Sequence, residues 1–415
     1  MANSAIGLKS PIGLQDTRNV LINGEFNLWQ RGITAEAGFT GYGGIHSFHN
    51  ADRWKLYGQS SRTGKGSTLP DVQVSRVNFD LGVPSGTVNK SKYYLNLYVG
   101  NTSDLDNTGS LVDDSEPLSG FCGGTGAGNF IGIFQDIEDV RTLSGKSAIL
   151  SYWAKSDITN QRIGAKLKQC FAGGTADLDV QGYTGAGHTL DNTWRQYKTE
   201  FNVPNVTNQS IGTSGDDALQ LGIYVHFCTG HGVGAASPAL GLTFEFGNAA
   251  GASGNVSIAQ VQLEQGTNAT EFDKRSKAEE ITDCQRFYEK SYDFSVNPGT
   301  VNSGQDLHDN AKGFVLTQGN PTSATPSLIF LGTQFSTRKR KVPTCTLYDP
   351  FPYTGGLGPE NTLRAGNATR NAHSVATGES RISFVRMDQG DVGGSEIRLA
   401  YHYTADAELS VTTNT

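Results

Sequence analysis

A short acidic run is the first place in this sequence where side chains could do chemistry. Asp136, Glu138 and Asp139 follow an apolar stretch, and the alternation of a strand would put Asp136 and Glu138 on one face. Two carboxyl groups at short range serve as the acid and the base or nucleophile of glycoside hydrolases. A solvated turn before Val140, or an acidic patch at a subunit contact, is the interpretation that we favour over catalysis.

Other catalytic patterns are incomplete. His46 and His49 lie three residues apart with no carboxylate or helix to orient them, so a loop is the simpler interpretation. No nucleophile-elbow motif occurs, and the glycine-rich run 122–129 lacks the Lys-Ser or Lys-Thr pair and the helix of a phosphate-binding loop. The cysteines form no Cys-x-x-Cys pair, which argues against a zinc site and indicates free thiols: Cys122, Cys170, Cys228, Cys284 and Cys345. We therefore predict a protein without enzymatic activity.

Two groups of residues could instead bind a ligand. The basic run Arg338–Lys341 could contact phosphate or an anionic lipopolysaccharide, although an edge strand protected by its charge explains the run more simply. Aromatic residues near glycine-rich segments could stack on sugar rings, with core packing as the alternative and as our preference for Trp54. The candidates for glycan binding are Tyr42, Trp54, Tyr57 and Tyr183.

One amphipathic helix is predicted, over residues 276–292, between two β-rich segments. Ser276 and Glu279 have the spacing of a capping box. The apolar stripe could pack on its own sandwich or on a neighbouring subunit, and it consists of Ile281, Cys284, Phe287 and Tyr288. We interpret this helix as the joint between two domains.

Strand patterns dominate the rest of the chain. Alternating apolar residues and turn signals predict about ten strands before the helix and four or five after it. Among them are Tyr93–Val99, Thr193–Val203, Leu242–Phe246, Thr344–Tyr348 and Arg381–Met387. The alternation changes phase between Ile258 and Val261, which predicts a β-bulge near Ala259 and Gln260. The expected fold is mainly β: an antiparallel jelly-roll β-sandwich, one helix, and a second, smaller β-sandwich. The predicted domains are an N-terminal arm at 1–19, the jelly roll at 20–275, the connecting helix at 276–292 and the C-terminal sandwich at 293–415.

Composition excludes several classes of function. The net charge of −7 argues against a nucleic-acid-binding protein, which would present a basic face. No basic segment followed by an apolar one opens the chain, and no apolar run approaches the roughly 18 residues of a membrane span. We therefore expect folding in a reducing cytoplasm, with neither membrane insertion nor nucleic acid as a partner.

Taken together in this order, the motifs along the chain resemble a family of tailed-bacteriophage virion appendage proteins. These are tail fibre or head fibre structural proteins with a jelly roll similar to carbohydrate-binding modules. The motifs are Asn-Val-Leu-Ile-Asn-Gly-Glu-Phe-Asn-Leu-Trp-Gln-Arg-Gly (19–32), Ala-Asp-Arg-Trp (51–54), Gln-Asp-Ile-Glu-Asp-Val-Arg-Thr-Leu-Ser-Gly-Lys (135–146), Leu-Ser-Tyr-Trp-Ala-Lys-Ser (150–156), Thr-Trp-Arg-Gln-Tyr (193–197), Val-Gln-Leu-Glu-Gln-Gly (261–266), Cys-Gln-Arg-Phe-Tyr-Glu-Lys-Ser-Tyr (284–292) and the segments 338–348 and 401–409.

The resemblance implies a non-enzymatic virion component, a fibre or spike subunit that forms a homotrimer. Its partners would be other proteins of the capsid or tail and host-surface polysaccharide, and it would leave the host cytoplasm by lysis. A capsid decoration protein without receptor binding and a glycan-degrading tailspike are the two alternatives.

The resemblance also raises the question of a structural calcium ion, which similar carbohydrate-binding modules hold. Asn27 stands where those modules have an acidic residue, and Gln260 and Gln262 stand where they tend to have Asp. Calcium prefers several oxygen ligands, carboxylates above all. We therefore expect no cofactor and leave a structural calcium ion as the open alternative.

Overall fold

The computed structural model describes residues 18–32, 34–38, 44–49, 51–60, 71–79, 91–99, 129–182, 187–228, 254–300, 315–319, 328–329, 333–349, 362–365, 368–387 and 397–409. Tyr42, Tyr183, Cys122, the predicted strand at 242–246 and most of the predicted N-terminal arm lie outside these residues.

Thirteen described strands precede the helix, and all their pairings are antiparallel. They are β1 (Thr34–Gly38), β2 (Gly44–His49), β3 (Lys55–Ser60), β4 (Asp71–Asn78), β5 (Tyr93–Val99), β6 (Asn129–Glu138), β7 (Ser147–Ser156), β8 (Arg162–Cys170), β9 (Leu178–Gln181), β10 (His188–Thr189), β11 (Arg195–Asn202), β12 (Ala218–Cys228) and β13 (Gly254–Gln265). A six-stranded sheet has the order β1-β4-β5-β13-β7-β11, and a seven-stranded sheet has the order β10-β8-β12-β6-β3-β2 with β9 paired to β8.

The two sheets face each other across one apolar core, as the prediction of a β-sandwich requires. Leu95 and Leu97 of the six-stranded sheet and Ile223 of the seven-stranded sheet belong to the same cluster of buried side chains. Since side chains alternate across a strand, the intervening residues point away from this core. Tyr94, Asn96 and Tyr98 therefore lie on the outer face of the six-stranded sheet.

The predicted β-bulge in the last strand of the sandwich is confirmed. The register between β13 and β7 shifts between Ala259 and Gln262, and Gln260 has a φ of 51°. The extra residue lets Val256 and Ile258 on one side of the bulge, and Val261 and Leu263 on the other, all reach the core.

The connecting helix is real, but it is shorter than predicted. Helix α1 spans Lys277–Gln285. Ser276 caps it through its hydroxyl, which accepts from the amide N–H of Glu279 at 3.3 Å, while the Glu279 carboxylate accepts from the amide N–H of Ser276 at 3.0 Å. After a turn at Arg286, the predicted last part of the helix is the strand β14 (Tyr288–Lys290), which pairs with the end of the chain.

The C-terminal strands form one sheet around the last of them. They are β15 (Val315–Gly319), β16 (Leu328–Ile329), β17 (Thr333–Gln334), β18 (Thr344–Tyr348), β19 (Thr362–Ala365), β20 (Ala368–Thr377), β21 (Arg381–Met387) and β22 (Ile397–Asp406). The first half of β22 pairs with β15 and β19, and its second half pairs with β14 and β18. One long strand thus joins the two parts of this sheet.

Charged groups link the sandwich to this C-terminal sheet. The guanidinium of Arg53 pairs with Glu408 and lies 3.4 Å from the centre of the Phe287 ring. Arg31 pairs with Asp406 at 3.0 Å and lies over the Tyr288 ring. The joint therefore depends on residues from both ends of the chain, brought together around the helix.

No helix among the described residues is long and apolar enough to cross a membrane.

Candidate functional site

The structure corrects the predicted glycan-binding role of the two aromatic candidates that it describes. Trp54 is fully buried, and its indole N–H donates to the carbonyl of Asn23 at 3.0 Å. Tyr57 is only 6% exposed and meets the Phe134 ring edge-on, with 5.1 Å between the ring centres. Neither ring offers a face to a sugar, and the core alternative that we preferred for Trp54 is the observed one. Tyr42 and Tyr183 lie outside the described residues.

A different aromatic cluster lies on the outer face of the six-stranded sheet. The ring centres of Phe79 and Tyr94 are 4.9 Å apart, and the Trp194 ring lies 5.3 Å from each of them. All three side chains are partly exposed and none belongs to the core of the sandwich. Edge-to-face and tilted rings at these distances support one another, so the cluster holds its shape while it faces solvent.

Beside this cluster runs a groove of about 230 Å³. It is lined by side chains of β4, β5 and β13, by the last two residues of β7, and by one residue each from the segments after β7 and before β11. The lining residues are Val77, Tyr94, Asn96, Lys155, Ser156, Asp157, Asn192, Asn255 and Ser257. One aromatic ring therefore faces a set of amides, hydroxyls and charged groups.

A ladder of hydrogen bonds fixes the amides in the groove. Asn255 donates through Nδ2 to Asp157 at 2.8 Å, and Asn96 donates through Nδ2 to Oδ1 of Asn255 at 2.8 Å. Ser257 donates to Oδ1 of Asn96 at 2.9 Å. Each amide is thus held in one orientation before any ligand binds. Hydrogen bonds connected in a chain polarise one another, so each bond is stronger than it would be alone.

The charges in the groove are also placed by the fold. Both carboxylate oxygens of Asp157 accept from Asn255, one from its amide N–H at 2.6 Å and one from its side chain. Lys155 lies on the same outer face, with its ammonium 5.5 Å from the centre of the Trp194 ring. The groove therefore presents fixed acceptors at one end and a cation beside the aromatic cluster.

Part of this groove could be predicted from the sequence. The alternation of β5 puts Leu95 and Leu97 in the core, and it follows that Tyr94 and Asn96 face outward. Nothing in the sequence places Trp194 beside them, since that contact depends on the pairing of β5, β13, β7 and β11. We predicted Trp194 within a strand, whereas it lies just before β11.

The acidic run that could have served catalysis is engaged in ion pairs. Asp136 is 5% exposed, and it accepts from the ammonium of Lys55 at 2.6 Å and from Gln220 at 2.7 Å. Both carboxylate oxygens of Glu138 accept from Nη2 of Arg286, at 2.8 and 2.9 Å. The solvated-turn interpretation holds for Asp139, whose side chain is half exposed, but it is wrong for Asp136.

The basic run at 338–341 is occupied by contacts within the chain. Its residues form no strand, so the edge-strand interpretation is wrong. The partners are Glu379 for Arg338, Glu289 for Lys339, and Asp216 for both Arg340 and Lys341. An anion would have to displace these carboxylates to bind.

The apolar stripe of the joint packs mostly within its own chain. Cys284, Phe287 and Tyr288 are between 1% and 5% exposed, and Tyr288 belongs to β14 rather than to the helix. Ile281 is half-buried. Of the four residues proposed as joint or oligomer contacts, three therefore serve the joint of a single chain.

The described residues do not fit a calcium ion at the positions that the resemblance suggests. Gln260 and Asn27 both turn an amide nitrogen inward, towards Ser91 and Glu25 respectively. Lys274 lies 3.3 Å from the Glu25 carboxylate and supplies a positive charge there. Among all the residues that the structure describes, no group of three or more His, Cys, Asp or Glu side chains could hold a metal ion.

A buried acid on the helix leads to a prediction about pH. Burial, with the nearby Glu25 carboxylate, raises the pKa of Glu280 to about 7. This pKa lies above that of a glutamate in the unfolded chain, so the folded chain favours the neutral carboxyl group of Glu280. Its contribution to stability is complete at low pH and is lost as the pH rises through 7. We expect Glu280→Gln to raise the free energy of unfolding by about 2 to 3 kcal/mol above pH 7, and hardly at all near pH 4, in urea titrations. Glu271→Gln, at an exposed position, is the control and should change the free energy of unfolding little. Equal gains at both pH values for Glu280→Gln would contradict the assignment.

No protein-family model matches the chain, and no curated protein matches it either. Among solved structures, the enzymatically active domain of tailspike protein 4 of bacteriophage CBA120 is 15% identical, with a TM-score of 0.27, over 60% of this chain and 22% of that one. The N-terminal cellulose-binding domain of Cellulomonas fimi β-1,4-glucanase C is 12% identical, with a TM-score of 0.23, over 45% of this chain and 86% of that one. The xylan-binding CBM22-1 domain of Paenibacillus barcinonensis Xyn10C is 12% identical, with a TM-score of 0.24, over 55% and 98%. Similarities of this size do not assign a function.

Proposed function

We propose that this chain is a non-enzymatic structural protein of a bacteriophage virion, a fibre or spike subunit that binds host-surface carbohydrate in the groove of its six-stranded sheet. The observation that carries the carbohydrate part is the partly exposed aromatic cluster beside an ordered ladder of amides. The virion part is supported by the motifs over residues 19–409 that resemble phage appendage proteins.

The groove has the chemistry that a sugar ring needs. A pyranose presents a C–H face, which packs on an aromatic ring, and a rim of hydroxyl groups, which need fixed donors and acceptors. Tyr94 and Trp194 supply the ring surface, while Asn96 and Asn255 supply the amides. Each amide nitrogen carries two hydrogens, of which the ladder uses one.

The ladder also lowers the cost of binding. Side chains that become immobilised on binding lose about 0.5 to 1.5 kcal/mol each in conformational entropy. Asn96, Asn255 and Ser257 are already held by one another and by Asp157. A ligand that meets them therefore orders little that was free before.

The aromatic cluster gives the test of this proposal. We expect Trp194→Ala to weaken binding to a carbohydrate array about tenfold or more, because the variant loses one ring surface of the proposed site and the packing that holds Tyr94. Trp194→Phe should retain most of the affinity. The midpoint of thermal unfolding should change little in either variant, since Trp194 lies outside the core. Unchanged array binding by Trp194→Ala would remove this groove as the site.

Phe294→Ala is the matched control, because Phe294 is an exposed aromatic residue of the C-terminal half with 42% of its surface accessible. It should bind the array as the unaltered chain does.

The virion part of the proposal includes assembly as a homotrimer, which light scattering of the full chain would detect. A monomer at micromolar concentration would count against a fibre. Binding to empty capsids, without binding to any carbohydrate, would point to capsid decoration instead.

A further inference from the structure

A second exposed aromatic residue lies on the same face as the groove, at the far end of β5. Tyr98 is 37% exposed and follows Tyr94 and Asn96 in the alternation that faces away from the core. In the sheet it stands opposite Gln73 of β4 and Asn255 of β13. Tyr98 is thus a direct cross-strand neighbour of the amide that anchors the ladder.

Tyr98 lies beyond the residues that line the groove, and polar side chains lie between the two aromatic ends on this face of the sheet. Asn96 lies midway along the strand, opposite Ser75 of β4 and Ser257 of β13. Polar side chains therefore separate Tyr94, with its Trp194 neighbour, from Tyr98. At the rise of a β-strand, four residues span about 13 Å, which is longer than a single sugar ring.

We propose that the groove takes an extended oligosaccharide that lies along β5, with one sugar on the Tyr94 and Trp194 rings and a later sugar on Tyr98. This inference rests on the proposed carbohydrate function and specifies the ligand as a linear segment of several sugars rather than a monosaccharide. The ladder of Asn96, Asn255 and Ser257 contacts the hydroxyl groups of the sugars in between.

Two aromatic ends with a polar middle make affinity depend on chain length. A monosaccharide occupies the end where the Tyr94 and Trp194 rings lie beside the amides, and from there it does not reach Tyr98. A tetrasaccharide can reach both ends, and the second contact is then made without a second loss of translational freedom. Tyr98 should therefore matter only for ligands long enough to reach it.

The test uses the full chain and an array of linear glucose, galactose, N-acetylglucosamine and glucuronic acid oligomers, each as monomer, dimer, tetramer and hexamer. For the sugar series that binds, we expect at least a tenfold gain in affinity from monomer to tetramer and little further gain at the hexamer. Tyr98→Ala should remove most of that gain, about tenfold, and leave monomer binding unchanged. Tyr98→Phe should keep the gain, and Phe294→Ala should behave as the unaltered chain.

The outcomes separate this inference from the function on which it rests. Equal affinity for monomer and hexamer, or a Tyr98→Ala variant that binds the tetramer normally, would overturn the extended ligand and leave carbohydrate binding intact. A Tyr98→Ala variant that changes the oligomeric state without changing binding would make Tyr98 a subunit contact and would also overturn the inference. Binding to no oligomer of any series would overturn the proposed function itself.

Discussion

Glu289→Gln is expected to lower the free energy of unfolding by about 3 to 5 kcal/mol, the usual cost of removing one partner of a buried ion pair. Lys339 and Glu289 are separated by 2.6 Å, and their side chains are 0% and 2% exposed. The Glu289 carboxylate also accepts from the Tyr403 hydroxyl at 2.9 Å and from the amide of Ser336. The substitution leaves the buried ammonium of Lys339 without its counter-charge. It also places an amide NH₂ group, which donates, where the Tyr403 hydroxyl and the Ser336 N–H need an acceptor.

The effect should depend on pH in a defined direction. Burial lowers the pKa of Lys339, and the Glu289 carboxylate opposes that fall. Without the carboxylate the folded chain favours a neutral Lys339 more strongly, so the loss of stability should shrink as the pH rises. Urea titrations across the alkaline range measure this trend, and a loss that grows with pH would contradict it.

A matched control lies one residue away. Arg338 pairs with Glu379 on the surface, where the two side chains are 76% and 36% exposed. Since exposed ion pairs contribute about 1 kcal/mol or less, Glu379→Gln should change the free energy of unfolding by no more than that. If Glu289→Gln cost no more than Glu379→Gln, the buried pair would not be what stabilises this part of the joint.

Arg53→Met is expected to cost about 3 kcal/mol and to weaken the coupling between the sandwich and the C-terminal sheet. Arg53 is 3% exposed, and it pairs with Glu408, which lies 355 positions further along the chain. It also donates to the carbonyl of Asp136 and covers the Phe287 ring. Arg31 also pairs with Glu408, at 3.5 Å, so Glu408 keeps one positive partner in this variant. The expected cost is therefore at the lower end of the roughly 3 to 5 kcal/mol that breaking a buried ion pair takes.

Two optical probes can detect the loss of coupling. All four tryptophans, at positions 29, 54, 153 and 194, lie in the N-terminal half, so their fluorescence reports on the sandwich. Far-ultraviolet circular dichroism reports on every strand. The two unfolding curves should coincide in the unaltered chain and separate in Arg53→Met.

The control for this variant is Arg141→Met. Arg141 pairs with Asp139 in a turn, with side chains that are 63% and 50% exposed, and it contacts neither the helix nor the C-terminal sheet in that pair. Its two curves should still coincide. Coincident curves in Arg53→Met as well would mean that the apolar contacts of Phe287 and its neighbours suffice to couple the two regions.

The coupling bears on how the proposed appendage would work. A groove on one face of the sandwich orients a bound carbohydrate relative to the rest of the chain only if the joint is rigid. Several charged pairs and the strand β14 hold that joint, among them Arg286 with Glu138 and Arg31 with Asp406. The same set explains why acidic and basic runs that stand out in the sequence do not form a separate site.

Local pattern alone determined much of the architecture. The alternation of apolar residues gave the bounds of Tyr93–Val99, Thr344–Tyr348 and Arg381–Met387 correctly, because a half-buried strand needs only its own sequence to show which face is apolar. The capping box of Ser276 and Glu279 and the bulge near Gln260 are equally local, and both were predicted.

Only the tertiary structure determined which polar and aromatic side chains are buried and which partners they have. Trp54 and Trp194 look alike in sequence, yet one fills the core and the other lies beside the groove. Helix α1 ends at Gln285 because Tyr288–Lys290 pair with β22, whose residues lie more than a hundred positions away. Asp136 and Glu289 became buried ion-pair partners for the same reason. Burial and charge pairing depend on which distant segments meet, and a one-dimensional pattern does not contain that information.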